Sequence, residues 1–407
     1  MPHHDTLFAW TTGREWIDQQ WLAHLGYYAV SVVGGIRLVL AVHVAAIVGA
    51  AAIVVTAARR RGASSLAVFL ASLVCLAMAP WALQMRAQSL AELLFAACFV
   101  LLIDKRELTV RRLALILALL VVWANVHGTV VLGAALAVLR GATLLRSETQ
   151  RGKGLLLVLG APVCIFVSPY GTDLVRYYHL MLANPLLPRF VSEWQTSTPG
   201  PGTAVFYVVL AAGMFWLVRR WNSTNLYDKL AFALIGASAV QAIRSIVWFG
   251  LAAVPLLAPQ LDSTIGRVRA LAAPVLARAG LGVAAAAVII TGVVFAHPDA
   301  WFVSLWPKAA AREVGSLAAS NPTAQILAAN RYADWLLWSQ PQLRGRIAYD
   351  IRFELLTTGQ FRMLTRSRGP RGGNTIFVTE PGPASCVAAR CTIAYRDSNI
   401  VVSRAGR

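Results

Sequence analysis

Ten apolar runs follow one another through the chain, at 36–58, 64–80, 88–103, 113–126, 128–139, 154–168, 204–218, 229–243, 245–261 and 279–296. A helix needs about 20 apolar residues to cross a bilayer core, and fewer where helices break inside protein. Only 14% of the 407 residues are charged and 57% are hydrophobic, whereas a soluble globular protein carries roughly a quarter charged residues. That balance excludes an ordinary water-soluble enzyme, a disordered chain and a fibrous repeat. The expected fold is an α-helical polytopic membrane protein with about ten membrane segments.

Several segments are short and meet in pairs at polar joints, one at Asn125-Val126-His127-Gly128 and the other at Arg244. Lipid would not tolerate their free backbone groups or their charge, so these joints are expected in a water-filled cavity or short of the far surface. Lysine and arginine in the loops orient the chain. One set of loops, from Arg59 to Arg278, holds seventeen of them, and the opposite set, before residue 297, holds six. The first set is therefore expected in the cytoplasm, with both termini of this chain outside. The net charge of +19 is then largely this bias rather than a nucleic-acid surface.

Three blocks are expected outside the membrane core. Residues 1–35, rich in Trp10, Trp16 and Trp21, read as a first external loop lying along the interface. Residues 169–203, with Pro185, Pro188, Pro199 and Pro201, read as an ordered external loop. Residues 297–407 alternate helical stretches (306–320, 331–340, 353–365) with β-rich runs (345–349, 375–379, 392–403), a small extracytoplasmic α/β domain. The first 30 residues lack the basic and apolar regions of a signal peptide. Cys75, Cys98 and Cys164 sit in apolar runs, while Cys386 and Cys391 could bridge in an oxidising compartment.

The residues able to carry chemistry fall on the outer side. Asp5, Glu15 and Asp18 put carboxylates in the first block. Arg86 precedes the run at 88, where a helix N-terminus would help it hold an anion such as phosphate. His127 and Arg244 occupy the two joints, and Glu193-Trp194 closes the proline-rich loop. Such a set suits a group transfer in which a carboxylate deprotonates an acceptor hydroxyl and cations stabilise a departing lipid phosphate.

The order of these motifs resembles the bacterial GT-C-type glycosyltransferases. The resemblance is carried by Asp5-Thr6-Leu7-Phe8-Ala9-Trp10-Thr11, Trp16 and Trp21-Leu22; by Arg86-Ala87-Gln88; and by Trp123-Ala124-Asn125-Val126-His127-Gly128. Pro169-Tyr170-Gly171, Glu193-Trp194, Arg244, and in the tail Asn330, Trp335-Leu336 and Asp350-Ile351-Arg352 extend it over most of the chain. The chain is similar in these motifs to protein mannosyltransferases and lipid A aminoarabinose transferases. That likeness implies a polyprenyl-phosphate-linked sugar donor and an inverting transfer to an envelope glycan, lipid or protein acceptor outside the plasma (inner) membrane. It also implies catalytic roles for Asp5, Asp18, Glu193 and His127, and substrate contacts for Arg86, Gln88, Asn125, Tyr170, Trp194 and Arg244. In such families the catalytic acid follows a first transmembrane helix, and this chain begins inside that loop, so a start further upstream is expected. No metal ligand set is evident, although a divalent cation fits the chemistry.

Plainer uses stand beside these. Asp5 could cap a turn, and Glu15 and Asp18 could be the solvated face of an interfacial helix. His127 could be satisfied by the backbone, and His43 packed in the bundle. Trp123 and Trp194 suit an aromatic belt. Glu92, one turn into an apolar run, needs a polar partner that the sequence does not name. Asp350, Arg352 and Glu354 suit a local ion-pair network. A transporter or lipid flippase, or an inactive scaffold for envelope assembly, would use many of the same residues.

Overall fold

A computed structural model describes residues 2–265, 285, 289–365, 374–382 and 391–405. These are mostly helical, with one small mixed sheet near the C-terminus. The chain divides into two compact units. A sheet unit gathers Met1–Asp18, Tyr177–Leu187 and His297–Arg407; a helical unit holds Gln19–Arg176 and Pro188–Ala296.

The helical unit begins with α1 (Trp21–Arg60), followed by α2 (Ser65–Met78), α3 (Gln88–Ile103), α4 (Val110–Val126), α5 (Val130–Leu144) and α6 (Arg151–Ile165). Next in the chain come α7 (Asp173–Leu182) and α8 (Leu186–Phe190), which overlap the Tyr177–Leu187 piece of the sheet unit, and then α9 (Ala204–Arg219), α10 (Leu226–Gln241) and α11 (Ile246–Ile265) of the helical unit. Side-chain oxygens start three of these helices: Ser64, Thr109 and Asn225 accept from backbone N–H groups of the first turns of α2, α4 and α10. α1 is two helices joined at Gly34-Gly35, where Gly35 takes φ +61°, a conformation closed to most side chains.

Among the described residues, two helices are long and apolar enough to cross a membrane, Trp21–Arg60 and Ile243–Asp262. The apolar helices Ser65–Met78, Gln88–Ile103, Val130–Leu144 and Ala204–Arg219 are shorter. The expected run at 36–58 starts late, because the helix already begins at Trp21 and bends at the glycine pair. Half of the run expected at 279–296 lies outside the described residues; the described part from 289 to 296 is helical.

Packing in the helical unit is close enough to need glycine where backbones meet. A Cβ on Gly141 of α5 would lie 2.6 Å from the Gly154 carbonyl of α6, and one on Gly154 would lie 2.8 Å from the Gly141 carbonyl. An aromatic cluster joins α3, α4 and α11. Phe95 stacks on Phe99 at 5.4 Å and meets Trp248 at 5.3 Å, and Trp123 lies 6.1 Å from both Phe95 and Trp248. Trp123 is therefore core, not aromatic belt: it is fully buried and its indole N–H donates to Thr129 Oγ1 at 3.2 Å. The arginine-rich ends are tied internally, by Arg61 to Asp228 and by Arg112 to Asp104 at 2.7 Å.

The sheet unit contains α12 (Asp299–Phe302), α13 (Lys308–Ser320), β1 (Gln325–Ala328), α14 (Asn330–Ser339), α15 (Thr358–Thr365), β2 (Thr375–Thr379), β3 (Cys391–Arg396) and β4 (Val401–Ala405). Strand order is β1-β2-β4-β3, with β1 and β2 parallel and the other pairs antiparallel. The expected β run at 345–349 is shorter than a strand: Ile347 makes a single parallel bridge to Ile326. Beyond it lies the N-terminal segment, where Gly345 N–H donates to the Leu7 carbonyl, and Ala9 and Trp10 N–H donate to the carbonyls of Ile347 and Ala348, at 2.8–2.9 Å. This extra layer covers an open edge, and Phe8 enters the core of Val314, Tyr332, Leu336, Ile376 and Val402.

The block expected at 1–35 is thus divided. Residues up to Asp18 fold with the tail, and Gln19 onwards belongs to the helical unit. Glu15 and Asp18 do not share a helix; Glu15 sits in a bridge with His4. Cys391 is disulfide-bonded, Cys75, Cys98 and Cys164 are free, and Cys386 lies outside the described residues.

Candidate functional site

The aromatic cluster sets the ends of three helices, and those ends carry the polar residues. Glu92 precedes Phe95 on α3, Asn125 and His127 follow Trp123 at the end of α4, and Arg244 precedes Trp248 of α11. A small cleft in the helical unit is lined by Gln84, Arg86, Gln88, Glu92, Glu193 and Arg244, with Trp81 and Ala82 alongside.

Arg86 sits just before α3. Its Nη1 pairs with Glu193 Oε1 at 2.6 Å and its Nη2 donates to Gln84 Oε1 at 2.6 Å. Arg244 lies in the short 3-10 turn Ile243–Ser245 between α10 and α11, its guanidinium 4.5 Å from the ring centre of Trp194. Glu193 and Trp194 are neighbours in another 3-10 turn, Ser192–Trp194. Glu92 is 3% exposed, and its only side-chain hydrogen bond among the described residues is a long one, 3.5 Å, from Gln88 Nε2. One cleft therefore presents two guanidinium groups and two carboxylates. Gln84 and the place of Glu92 were not legible beforehand; the Arg86, Gln88, Glu92 spacing around a helix start was the one signal.

The second joint comes near the first. His127 is 4% exposed and lies within reach of the Arg244 charge. Thr129 N–H donates to His127 Nδ1 at 3.2 Å, so that nitrogen is an acceptor and the imidazole is held by its own turn. Asn125 makes three side-chain hydrogen bonds within the protein. Its Nδ2 donates to the carbonyls of Val121 and Val167 at 2.8 Å each, and its Oδ1 accepts from Trp21 Nε1 at 2.8 Å. Asn125 thus braces the end of α4 against the start of α1 instead of offering groups to a ligand. Tyr170 is buried beside Gly171, in the turn before α7, and does not line the cleft. His43 is packed, with its ring nitrogens 3.0 Å from Ser89 Oγ and 3.1 Å from the Leu83 carbonyl.

Asp5 and Asp18 belong to the sheet unit, whereas Arg86, Glu193 and Arg244 belong to the helical unit. The Asp5 side chain is wholly buried. Oδ1 accepts from Leu7 N–H at 2.9 Å, and Oδ2 accepts from Thr11 Oγ1 and from Arg352 Nη2, the latter at 3.2 Å. Arg352 also holds Asp350 at 2.6 Å and lies 4.4 Å from the ring centre of Trp16 and 5.0 Å from that of Phe8. The ion pair expected between Asp350 and Arg352 is present, and Asp5 makes it a triad. Burial pushes the Asp350 carboxyl up despite the neighbouring guanidinium, and pushes Glu354 up to about 7. Asp18 is half-buried.

Among the described residues no group of three or more His, Cys, Asp or Glu side chains converges to hold a metal ion. No family model matches the chain, and neither does any curated protein or solved structure.

Proposed function

We propose that the chain is a multi-pass glycosyltransferase of the GT-C type in the plasma (inner) membrane, moving a sugar from a polyprenyl-phosphate donor to an envelope acceptor on the outer side. The observation that carries the reading is the cleft: two arginines from separate elements converge with two carboxylates inside an otherwise apolar helical unit. A developing phosphate anion is stabilised by donors fixed in advance, and arginine forks suit phosphate geometry.

Two further features support a membrane setting. Large apolar side chains are exposed on several helices: Val32, Val44 and Val48 of α1, Leu156 and Leu159 of α6, and Val208, Phe215 and Val218 of α9. Exposed apolar surface on that scale is foreign to a soluble monomer. Residues 1–18, 177–187 and 297–407 also share one folded unit. In this reading the pieces of that unit share the outer side of the bilayer.

In this reading the acceptor oxygen attacks the anomeric carbon as the bond from that carbon to the phosphate oxygen breaks. The electron pair leaves on the phosphate, held by Arg86 and Arg244. The acceptor proton passes to the cleft carboxylate Glu92. Asp5 holds the sheet unit together. The test is binding of undecaprenyl phosphate to the purified full chain in lipid nanodiscs. Loss of binding in R86A and in R244A is expected; wild-type affinity in both would refute the anion site.

A further inference from the structure

We infer that the turn Ser192–Trp194 is a cap that occupies the anion site, so that an anionic ligand must displace it; this rests on the reading of Arg86 and Arg244 as the phosphate-holding pair. Two adjacent residues of one turn engage both cations. Glu193 sets a carboxylate on Arg86 at 2.6 Å, where a phosphate oxygen would sit, and Trp194 lies 4.5 Å from the Arg244 guanidinium. With the turn in place, the cleft has room for about one water molecule. A sugar phosphate does not fit there until the turn moves.

The local structure permits that movement. Immediately after the turn the backbone is anchored: Ile243 N–H donates to the Gln195 carbonyl at 3.0 Å, Ser197 N–H to the Val240 carbonyl at 3.0 Å, and Ser197 Oγ to the Ala239 carbonyl at 2.6 Å. Among the described residues the backbone of the turn itself is closed by the short-range bonds Trp194 N–H to Val191 and Gln195 N–H to Ser192. Its grip on Arg86 is an ion pair whose side chains are 41% and 36% exposed, a kind that contributes little and exchanges readily. Segment 195–197 is thus a fixed hinge, and 192–194 is the part that lifts. The ligand class is a phosphate monoanion or dianion, borne on a lipid or free.

The experiment measures affinity of the purified full chain in nanodiscs for undecaprenyl phosphate, and in parallel for inorganic phosphate, in wild type, E193Q, W194A, R86A and R244A. Glu193 is half-exposed, so E193Q should unfold like wild type and serves as the primary variant; W194A is the second. Each should bind both probes more tightly, by about fivefold or less, the weight of an exposed ion pair or cation–π contact. Unchanged or weaker binding in E193Q, with R86A and R244A impaired, overturns the cap and leaves the anion site standing. A gain confined to the lipid probe also overturns it, because the cap is argued to mask the phosphate position itself. Wild-type binding in R86A and R244A removes the reading beneath both.

Discussion

Replacing Asp5 by asparagine separates a structural carboxylate from a catalytic one. Asp5 is fully buried and satisfies three donors, from Leu7, Thr11 and Arg352. Asparagine keeps one oxygen acceptor but turns an NH2 group toward either the Leu7 N–H or the Thr11 and Arg352 donors, and removes half of the countercharge on Arg352. Breaking a buried ion pair outright costs about 3–5 kcal/mol, and an orphaned buried donor about 1–3. Because Asp350 still holds Arg352 at 2.6 Å, the lower end applies, about 3 kcal/mol. The backbone bonds beside this triad run from Ala9, Trp10 and Gly345 to residues 347, 348 and 7. If they open together, 3 kcal/mol raises their hydrogen-exchange rate by about a hundredfold. The double variant D5N/R352Q should cost less than the two single changes added, since they share one interaction. Wild-type exchange in D5N, accompanied by loss of undecaprenyl phosphate binding, would refute the structural assignment and return Asp5 to the chemistry.

Three other outcomes follow from the same contacts. Glu354 titrates near 7 in the folded chain against a reference of 4.5, so the folded state binds more protons between those values. Its stability therefore falls as pH rises from about 4.5 to 7 and levels off above; amides around 350–356 should exchange faster at pH 8 than at pH 5 after correction for intrinsic rates, and E354Q should abolish the difference. A Cβ on Gly133 would lie 2.4 Å from the Trp123 ring, so G133A should cost about 1–3 kcal/mol and lower the thermal midpoint; an unchanged midpoint would contradict the packing described for Trp123. Glu92 lines the cleft with Arg86 and Arg244, and wherever its carboxyl is ionised it competes with a bound anion for them, so E92Q should strengthen undecaprenyl phosphate binding more at pH 9 than at pH 6 in a titration; a pH-independent effect would mean that Glu92 does not face the anion.

Much of the organisation was legible from periodicity and charge. Helices expected at 88–103 and 204–218 appear at Gln88–Ile103 and Ala204–Arg219, and the tail folds into the expected mixture of strands and helices. Arg86, Glu193 and Arg244 were each marked by a charge beside apolar residues, and the fold brings them to one cleft. Hydropathy describes a residue's surroundings along the chain but not its partner across it. Asp5 meets Arg352 from 347 positions away, so nothing local distinguished a buried triad from an exposed acid. Trp123 failed for a related reason: an indole at a helix end reads as interfacial, and only the neighbouring Phe95 and Trp248 make it core. Asn125 looked like a ligand contact because its motif is polar, whereas both its amide donors and one oxygen lone pair are spent on bracing the end of α4.

The central claim is that a polyprenyl phosphate seats its anion between Arg86 and Arg244. A photoactivatable polyprenyl phosphate, with the reactive group next to the phosphate, tests it on the native chain in nanodiscs, with adducts located by peptide mass spectrometry. Labelling should concentrate on 81–92, 192–195 and 243–248 and be suppressed by excess undecaprenyl phosphate. Adducts confined to other segments, or insensitive to that competitor, would contradict the account.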